Sequence, residues 1–240
     1  MSRPIARARF TRGGAKVGST DTSASSLSPT AFLAKYDPDG NAAWVRVVAP
    51  VYGTSPGDFG GLAVDRSGFV YLTGMAHDSL NHSSGRSAFV LKVDSAGSEV
   101  WKRFVSGDAA AAGEIAVDSV DHVYASGAIS GLGPFVAKYE SDGTLLWTGQ
   151  FGPGSAIAID SRGVYVVGQT STAVPGVLSV APGDIFLARF DGDGVLTDVR
   201  TYDAQGDEYG FGVAGDGSGV VYLSGWLRGY DTGLVVKYRP

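Results

Sequence analysis

The side chains best suited to chemistry are few and scattered. His77 and His82 share one segment with Asp78 and Asn81, and His122 lies apart from them. Two imidazoles five residues apart in a Ser/Gly-rich loop have no fixed geometry of the kind a metal site needs, so no metal is assigned to them. A hydrolase or lyase working by general acid–base transfer needs a His or carboxylate within reach of a partner. Glu208 has no partner that the sequence identifies. No nucleophile elbow, phosphate loop, dinucleotide fingerprint or HExxH pattern is present. The chain has no Cys, which excludes disulfides, thiol catalysis and Cys-ligated zinc. Trp226, Arg228 and Tyr230 cluster where the equivalent segments carry Ser, Ala and Gly. These are the types favoured in binding hot spots and in stacking on sugar rings. The candidate ligand-binding residues are therefore Trp226, Arg228, Tyr230, His77, Asp78 and Glu208, with no catalytic residue and no cofactor assigned.

Composition narrows the partners. With 240 residues, 44% hydrophobic and 11% aromatic, the chain can bury a sizeable core. A net charge of −5 argues against a nucleic-acid backbone as the main partner, because that affinity comes from clustered Lys and Arg. No apolar run approaches the roughly 18 residues of a membrane helix. Thirty-six Gly and ten Pro suit many short strands joined by tight turns.

Those strands are spelled by a repeat, clearest in 134–168. Short runs rich in β-branched and aromatic residues, bounded by Gly, Asp or Ser, read as strands. Position a is 61–65, 113–118, 155–160 and 211–216, and position b is 69–74, 122–127, 164–168 and 220–225, with 16–18 as a remnant. Position c is 31–36, 88–93, 134–139, 185–190 and 234–238, and position d is 42–47, 99–104, 145–151 and 195–202. The Gly closing position b recurs at 18, 74, 127, 168 and 225. Four strands in about 50 residues is the size of a propeller blade. The expected fold is an all-β propeller of about five four-stranded blades, or an incomplete arc of a larger ring, with residues 1–30 as degenerate strands and a Ser/Thr-rich loop of the first blade and 31–240 as the repeats, all one domain.

The turns fall into two kinds. Turns a–b (Asp65 to Gly68, Asp160 to Gly163, Asp216 to Gly219) and c–d (Asp37 to Gly40, Asp94 to Gly97, Glu140 to Gly143, Asp191 to Gly194) are short and alike. An early Asp and a late Gly suit a type I turn followed by a residue at positive φ. That accounts for Asp37 to Asn41 and Asp191 to Gly194 without the calcium their Asp/Gly pattern suggests, since no bidentate Glu follows at loop position twelve. Asp65, Asp118, Asp160 and Asp216 are expected to cap turn amides; the alternative is a carboxylate ring about the channel. Links b–c and d–a vary in length, so antiparallel order puts all variable loops at one end, where binding is expected. Tyr71, Tyr124, Tyr165 and Tyr222, with Trp44, Trp101 and Trp147, recur as blade-to-blade contacts, while Lys35, Lys92, Lys138, Arg189 and Lys237 read as solvated or snorkelling positions.

The Arg-rich stretch at the start contains no complete secretory signal. Residues 6–18 align with 156–168 as a worn position a, yet 4–10 also suit a strand closing the last unit, whose position d is missing. An unclosed ring would leave an edge open to strand pairing or homodimer formation.

The runs 31–36, 61–65 and 70–71, the turn 37–40 and Trp44, with their counterparts near 88–127 and 134–168, resemble the SBBP β-propeller repeats of bacterial surface and secreted proteins, and distantly the NHL repeat. The resemblance spans roughly 31–238 and implies an extracytoplasmic or cell-surface location. Asp198, in place of Trp, departs from it. Propellers host many unrelated functions. The expected function is a non-enzymatic scaffold presenting variable loops to a protein or glycan; the alternatives are a propeller hydrolase or lyase at the channel mouth, or a gene fragment.

Overall fold

In a computed structural model of the chain, the described residues are 6–9, 31–48, 59–77, 86–105, 109–129, 133–150, 154–169, 183–202, 207–228 and 232–239. They form eighteen strands in five antiparallel sheets and no helix. The first sheet is β1 (Ala6–Arg9), β2 (Ala31–Tyr36) and β3 (Ala42–Val48). The second is β4 (Phe59–Val64), β5 (Val70–His77), β6 (Arg86–Val93) and β7 (Glu99–Phe104). The third is β8 (Ala109–Val117), β9 (Val123–Ile129), β10 (Gly133–Tyr139) and β11 (Leu145–Gln150). The fourth is β12 (Gly154–Asp160), β13 (Gly163–Gln169), β14 (Ile185–Phe190) and β15 (Leu196–Tyr202). The fifth is β16 (Asp207–Gly215), β17 (Val221–Arg228) and β18 (Thr232–Tyr238).

Each complete sheet runs a-b-c-d in chain order, as the repeat predicts, and the sheets follow one another through contacts of their first strands, β4 on β8, β8 on β12 and β12 on β16. Gly60 shows how close that approach is. A Cβ there would sit 1.8 Å from the Gly113 carbonyl oxygen of β8, so only glycine fits.

The turns have the expected chemistry. Asp94 Oδ1 accepts from the amides of Ala96 and Ser98 at 2.9 and 2.8 Å, and Gly97 takes φ +83°. Asp191 Oδ1 does the same for Asp193 and Val195, and the Asp37 carboxylate holds the Asn41 amide and side chain. In the a–b turns Asp65 Oδ1 accepts from Ser67 and Phe69, and Asp216 Oδ1 from Ser218 and Val220. These aspartates cap turn amides, as expected.

One placement differs from both expectations. Residues 6–9 neither start the first sheet as position a nor pair with the fifth sheet. They hydrogen-bond to β2 from Ala6 opposite Lys35 to Arg9 opposite Phe32, which is position b. The inner edge of β2 has unpaired backbone groups to satisfy, and an extended Ala-Arg-Ala-Arg segment meets that need whatever its side-chain pattern. The remnant at 16–18 lies outside the described residues. Among the described residues no strand pairs the outer edge of β18.

The core lies in the seams between sheets. Leu33 packs with Val70, Leu72 and Phe89, and Tyr71, Val90 and Trp101 pack on Val123, Phe135 and Tyr139. Tyr124 and Val136 pack on Val164, Val166 and Phe186, and Tyr165 and Leu187 on Val221 and Leu223. Period-two alternation thus gives each sheet two apolar faces, one for each neighbour.

Candidate functional site

The seams are held by a polar device that repeats. Lys35 Nζ and Trp44 Nε1 both donate to the Ser95 carbonyl of the next c–d turn, at 3.1 and 2.9 Å. Lys92 Nζ and Trp101 Nε1 converge on the Ser141 carbonyl at 2.7 and 3.0 Å, and Lys138 Nζ and Trp147 Nε1 on that of Gly192 at 2.9 and 3.1 Å. Lys92 and Lys138 are therefore buried, which corrects the solvated half of the expectation of solvated or snorkelling positions for these two, while Lys237 is exposed. Their ammonium groups lie over Tyr71 and Tyr124, with Nζ 5.1 and 5.3 Å from the ring centroids. Desolvation lowers the Lys92 pKa, opposed by the carboxylates of Asp65, Asp121 and Asp142.

A cavity of about 530 Å³ opens between the a–b turns of the third and fourth sheets. His122 stands on one wall, in the place that Phe69 holds in the second sheet. Its Nδ1 is 2.9 Å from Asp118 Oδ2 and its Nε2 3.5 Å from Glu140 Oε2. Burial alone would raise the Asp118 carboxyl, but the His122 ring and the Val120 and His122 amides outweigh it and hold the pKa below the ordinary value. On the opposite wall the turn from Asp160 to Tyr165 is one residue shorter than that from Asp65 to Tyr71. Tyr71 and Tyr124 donate to their aspartates at 3.0 and 3.2 Å, but the shortened turn separates the third such pair. Asp160 Oδ2 and Tyr165 Oη are both shielded from solvent and do not bond one another, and Asp160 Oδ2 has no hydrogen-bond partner among the described residues.

The sequence candidates lie elsewhere. Trp226 and Arg228 fall inside β17 and not in a b–c link, because pairing continues to Leu227 opposite Thr232 and Arg228 opposite Asp207. His77 ends β5 opposite Arg86, while Asp78 and Tyr230, like His82 and most of the variable links, lie outside the described residues. Glu208 is buried in β16, its amide donating to the Gly183 carbonyl at 2.6 Å. Sequence reasoning missed Trp226's companions. Tyr209 stacks on Trp226 with centroids 5.8 Å apart, and Phe211 on Tyr209 at 6.2 Å and 8°. Phe211, pushed out by a bulge between Gly210 and Gly212, is 60% exposed. Its signal was present, since Tyr209 and Phe211 stand in a segment that is Gly- and Ala-rich in the second and third units.

This aromatic row belongs to a larger open surface, the outward face of the fifth sheet. Tyr222 and Val235 on that face are 37% and 74% exposed. Their equivalents Tyr71 and Val90 are buried in a seam, as are Tyr124 and Val136.

No family model matches the chain, nor does any curated protein sequence. Solved structures do. A Bacteroides caccae protein matches with a TM-score of 0.52 at 10% identity, over 87% of this chain and 69% of its own. The Neurospora crassa Pan2 WD40 domain matches at 0.53 and 8%, over 88% and 62%, and a glucose dehydrogenase at 0.52 and 12%, over 88% and 71%. The chain thus spans about two thirds of the length of these structures. Sheet order, the succession of seams and these likenesses agree that the chain has the β-propeller fold, and among the described residues its five sheets do not close a ring.

Proposed function

We propose that this protein is a non-enzymatic binding scaffold of the SBBP repeat type, acting at a bacterial surface, whose recognition surface is the open face of the fifth sheet. The carrying observation is the aromatic row of half-buried Trp226 and Tyr209 with exposed Phe211, on a sheet face where Tyr222 and Val235 are exposed as well. Contiguous exposed apolar surface on an otherwise well-packed protein marks interaction sites. Stacked Trp and Tyr rings suit both the hot spot of a protein interface and the face of a sugar ring. The partner is accordingly a protein or a carbohydrate. The test compares the parent with Phe211→Ser and Val235→Glu against a glycan array and immobilised surface-protein fractions. Binding lost in both variants, with unchanged melting, supports the reading; binding that survives both overturns it.

The cavity at His122 favours a second reading, a hydrolase or lyase. An imidazole between Asp118 and Glu140 is arranged to move protons, and Asp160 lines the same space, which is large enough for a small substrate. A hydrolase and lyase substrate screen that finds turnover abolished by His122→Ala would establish it, and no turnover across the panel would remove it.

A further inference from the structure

We infer that the open face of the fifth sheet seats the first sheet of a second copy of this chain, joined by Lys237 Nζ donating to the Pro38 carbonyl. This names the partner of the surface proposed above and rests on that reading.

The argument comes from the three seams that carry the Lys/Trp clasp. On one side of each stand a strand-c Lys and a strand-d Trp; on the other, a c–d turn presents the carbonyl of its second residue, Ser95, Ser141 or Gly192. In two of them a strand-b Tyr and a strand-c Val from the Lys side are buried as well, Tyr71 with Val90 and Tyr124 with Val136. The fifth sheet repeats the donor side in Tyr222, Val235 and Lys237. Lys237 Nζ lies 5.6 Å from the Tyr222 ring centroid, much as Lys92 and Lys138 lie on their tyrosines. Trp226 occupies the place of Met75, which is buried in the second sheet. The Tyr, Val and Lys of a donor half are therefore in place and solvent-exposed, without the strand-d Trp among the described residues.

The acceptor half is equally assembled in the first sheet. The turn from Asp37 to Asn41 has the same hydrogen bonds as the clasped turns, and Gly40 takes φ +88° beside +83°, +86° and +83° for Gly97, Gly143 and Gly194. Those three glycines lie under Trp44, Trp101 and Trp147, whose ring atoms come within 2.7 to 3.2 Å of where a Cβ would be. Among the described residues nothing lies within 4 Å of that point at Gly40, and Pro38, Asp39 and Gly40 are exposed. By position, the Pro38 carbonyl is the counterpart of Ser95, Ser141 and Gly192.

Tyr222, Val235 and Lys237 of the fifth sheet and the turn Pro38 to Gly40 of the first are exposed in the same molecule, so among the described residues the chain does not close one on the other. They stand at opposite ends of an arc that spans 62 to 71% of the length of the matched propellers. A second copy brings the missing half to each. The contact is heterologous, head to tail, so it propagates into a ring or an open assembly according to whether the rotation closes.

The chain's lack of cysteine makes cross-linking selective. Asp39→Cys and Arg239→Cys place one thiol beside each half without touching Lys237. Treated with a short bis-maleimide, a mixture of the two single variants should give a covalent dimer that neither gives alone. Sedimentation of the parent should show concentration-dependent association, weakened roughly tenfold or more by Val235→Glu, which buries an unpaired charge. Lys237→Met should weaken it less and leave melting unchanged. An Asp39→Cys/Arg239→Cys double variant that links only within one chain would overturn the inference in favour of ring closure. A parent that stays monomeric at every concentration, with no linked dimer in the mixture, would also overturn it. If Val235→Glu then still abolishes glycan or protein binding, the scaffold reading survives the loss of this one; if it changes neither, both fall.

Discussion

Replacing Trp101 by Ala tests whether the seams hold this fold together. The Trp101 ring is 7% exposed, between Tyr71 at 6.0 Å and Tyr139 at 6.4 Å, and its indole N–H reaches the Ser141 carbonyl. Arg103 covers it at 5.5 Å and Gly143 lies beneath it. Truncating a buried Trp costs about 3–5 kcal/mol in transfer and cavity terms. Net stability of a domain is only about 5–15 kcal/mol, so the change removes a large share of it. For a chain of this length that is a fall in melting temperature of roughly 6–20 °C. Trp101→Phe keeps most of the ring and loses only the N–H donor. The Ser141 carbonyl still receives Lys92 at 2.7 Å, so this variant should lose about 1 kcal/mol. Lys92→Met should lose a similar amount, and the double variant more than the sum of both, because only then is the carbonyl left buried and unmet. Urea titration followed by tryptophan fluorescence and circular dichroism measures all four proteins. If Trp101→Ala melts within a degree or two of the parent, the seam is not the source of stability and the reasoning fails.

Three further outcomes follow from the turns and seams. Asp65→Ala removes an acceptor used by Ser67, Phe69 and Tyr71 and should cost about 1–3 kcal/mol, whereas Asp160→Asn, which neutralises a shielded and unengaged oxygen, should be neutral or stabilising in the same titration. Burial raises the phenols of Tyr71 and Tyr124, helped by Asp65 and Asp118, and pushes Tyr139 up to about 12 against the opposing charge of Arg103. The unfolded phenols ionise near pH 10, so stability should be level below that pH and fall as pH rises beyond it; a flat profile to pH 11.5 by chemical denaturation would contradict the burial assigned to them. Asp198→Trp, which restores the residue of the other units, should destabilise by about 1–3 kcal/mol where a consensus change ordinarily stabilises.

What the sequence made legible was what each unit does alone. Strands and turns follow from alternation and from Asp and Gly at fixed offsets, and every assigned run within the described residues lies in a strand, to within a few residues. The b strands run further than expected, to His77 and Arg228, because their partners continue beside them. Relations between units were harder to see. A recurrent Lys in a strand looks like a solvated position until the facing turn shows a carbonyl within 2.7 to 3.1 Å. The cavity was written in the sequence as His122 for Phe69 and as the five-residue spacing from Asp160 to Tyr165, but only comparison across two adjoining sheets turns those into a space. Residues 6–9 were misplaced because a segment recruited for its backbone hydrogen bonds has no side-chain pattern to read.

Asp198 shows why the departures from the repeat carry more information than the repeat. A Trp at position d is useful only where the next sheet supplies a c–d turn, because its indole N–H then has a carbonyl to meet. The described fifth sheet ends with β18 at position c, so the fourth sheet faces no such turn. A Trp there would bury a donor with nothing to receive it. Asp198 instead accepts the Tyr238 hydroxyl, with Arg200 Nε 3.3 Å away. Burial raises its carboxyl, but the Tyr238 and Arg200 contacts outweigh that and keep its pKa below the ordinary value. Arg189, in the place of Lys, likewise turns to Thr197 at 3.0 Å instead of to a neighbouring turn. Both residues that would have clasped a following blade are thus changed at the one seam where the described structure offers no turn to clasp. Lys237 is not changed. One sheet further on it keeps the residue type and the seat of Lys92 and Lys138, which is the placement expected of a side chain that meets a turn carbonyl outside its own five sheets.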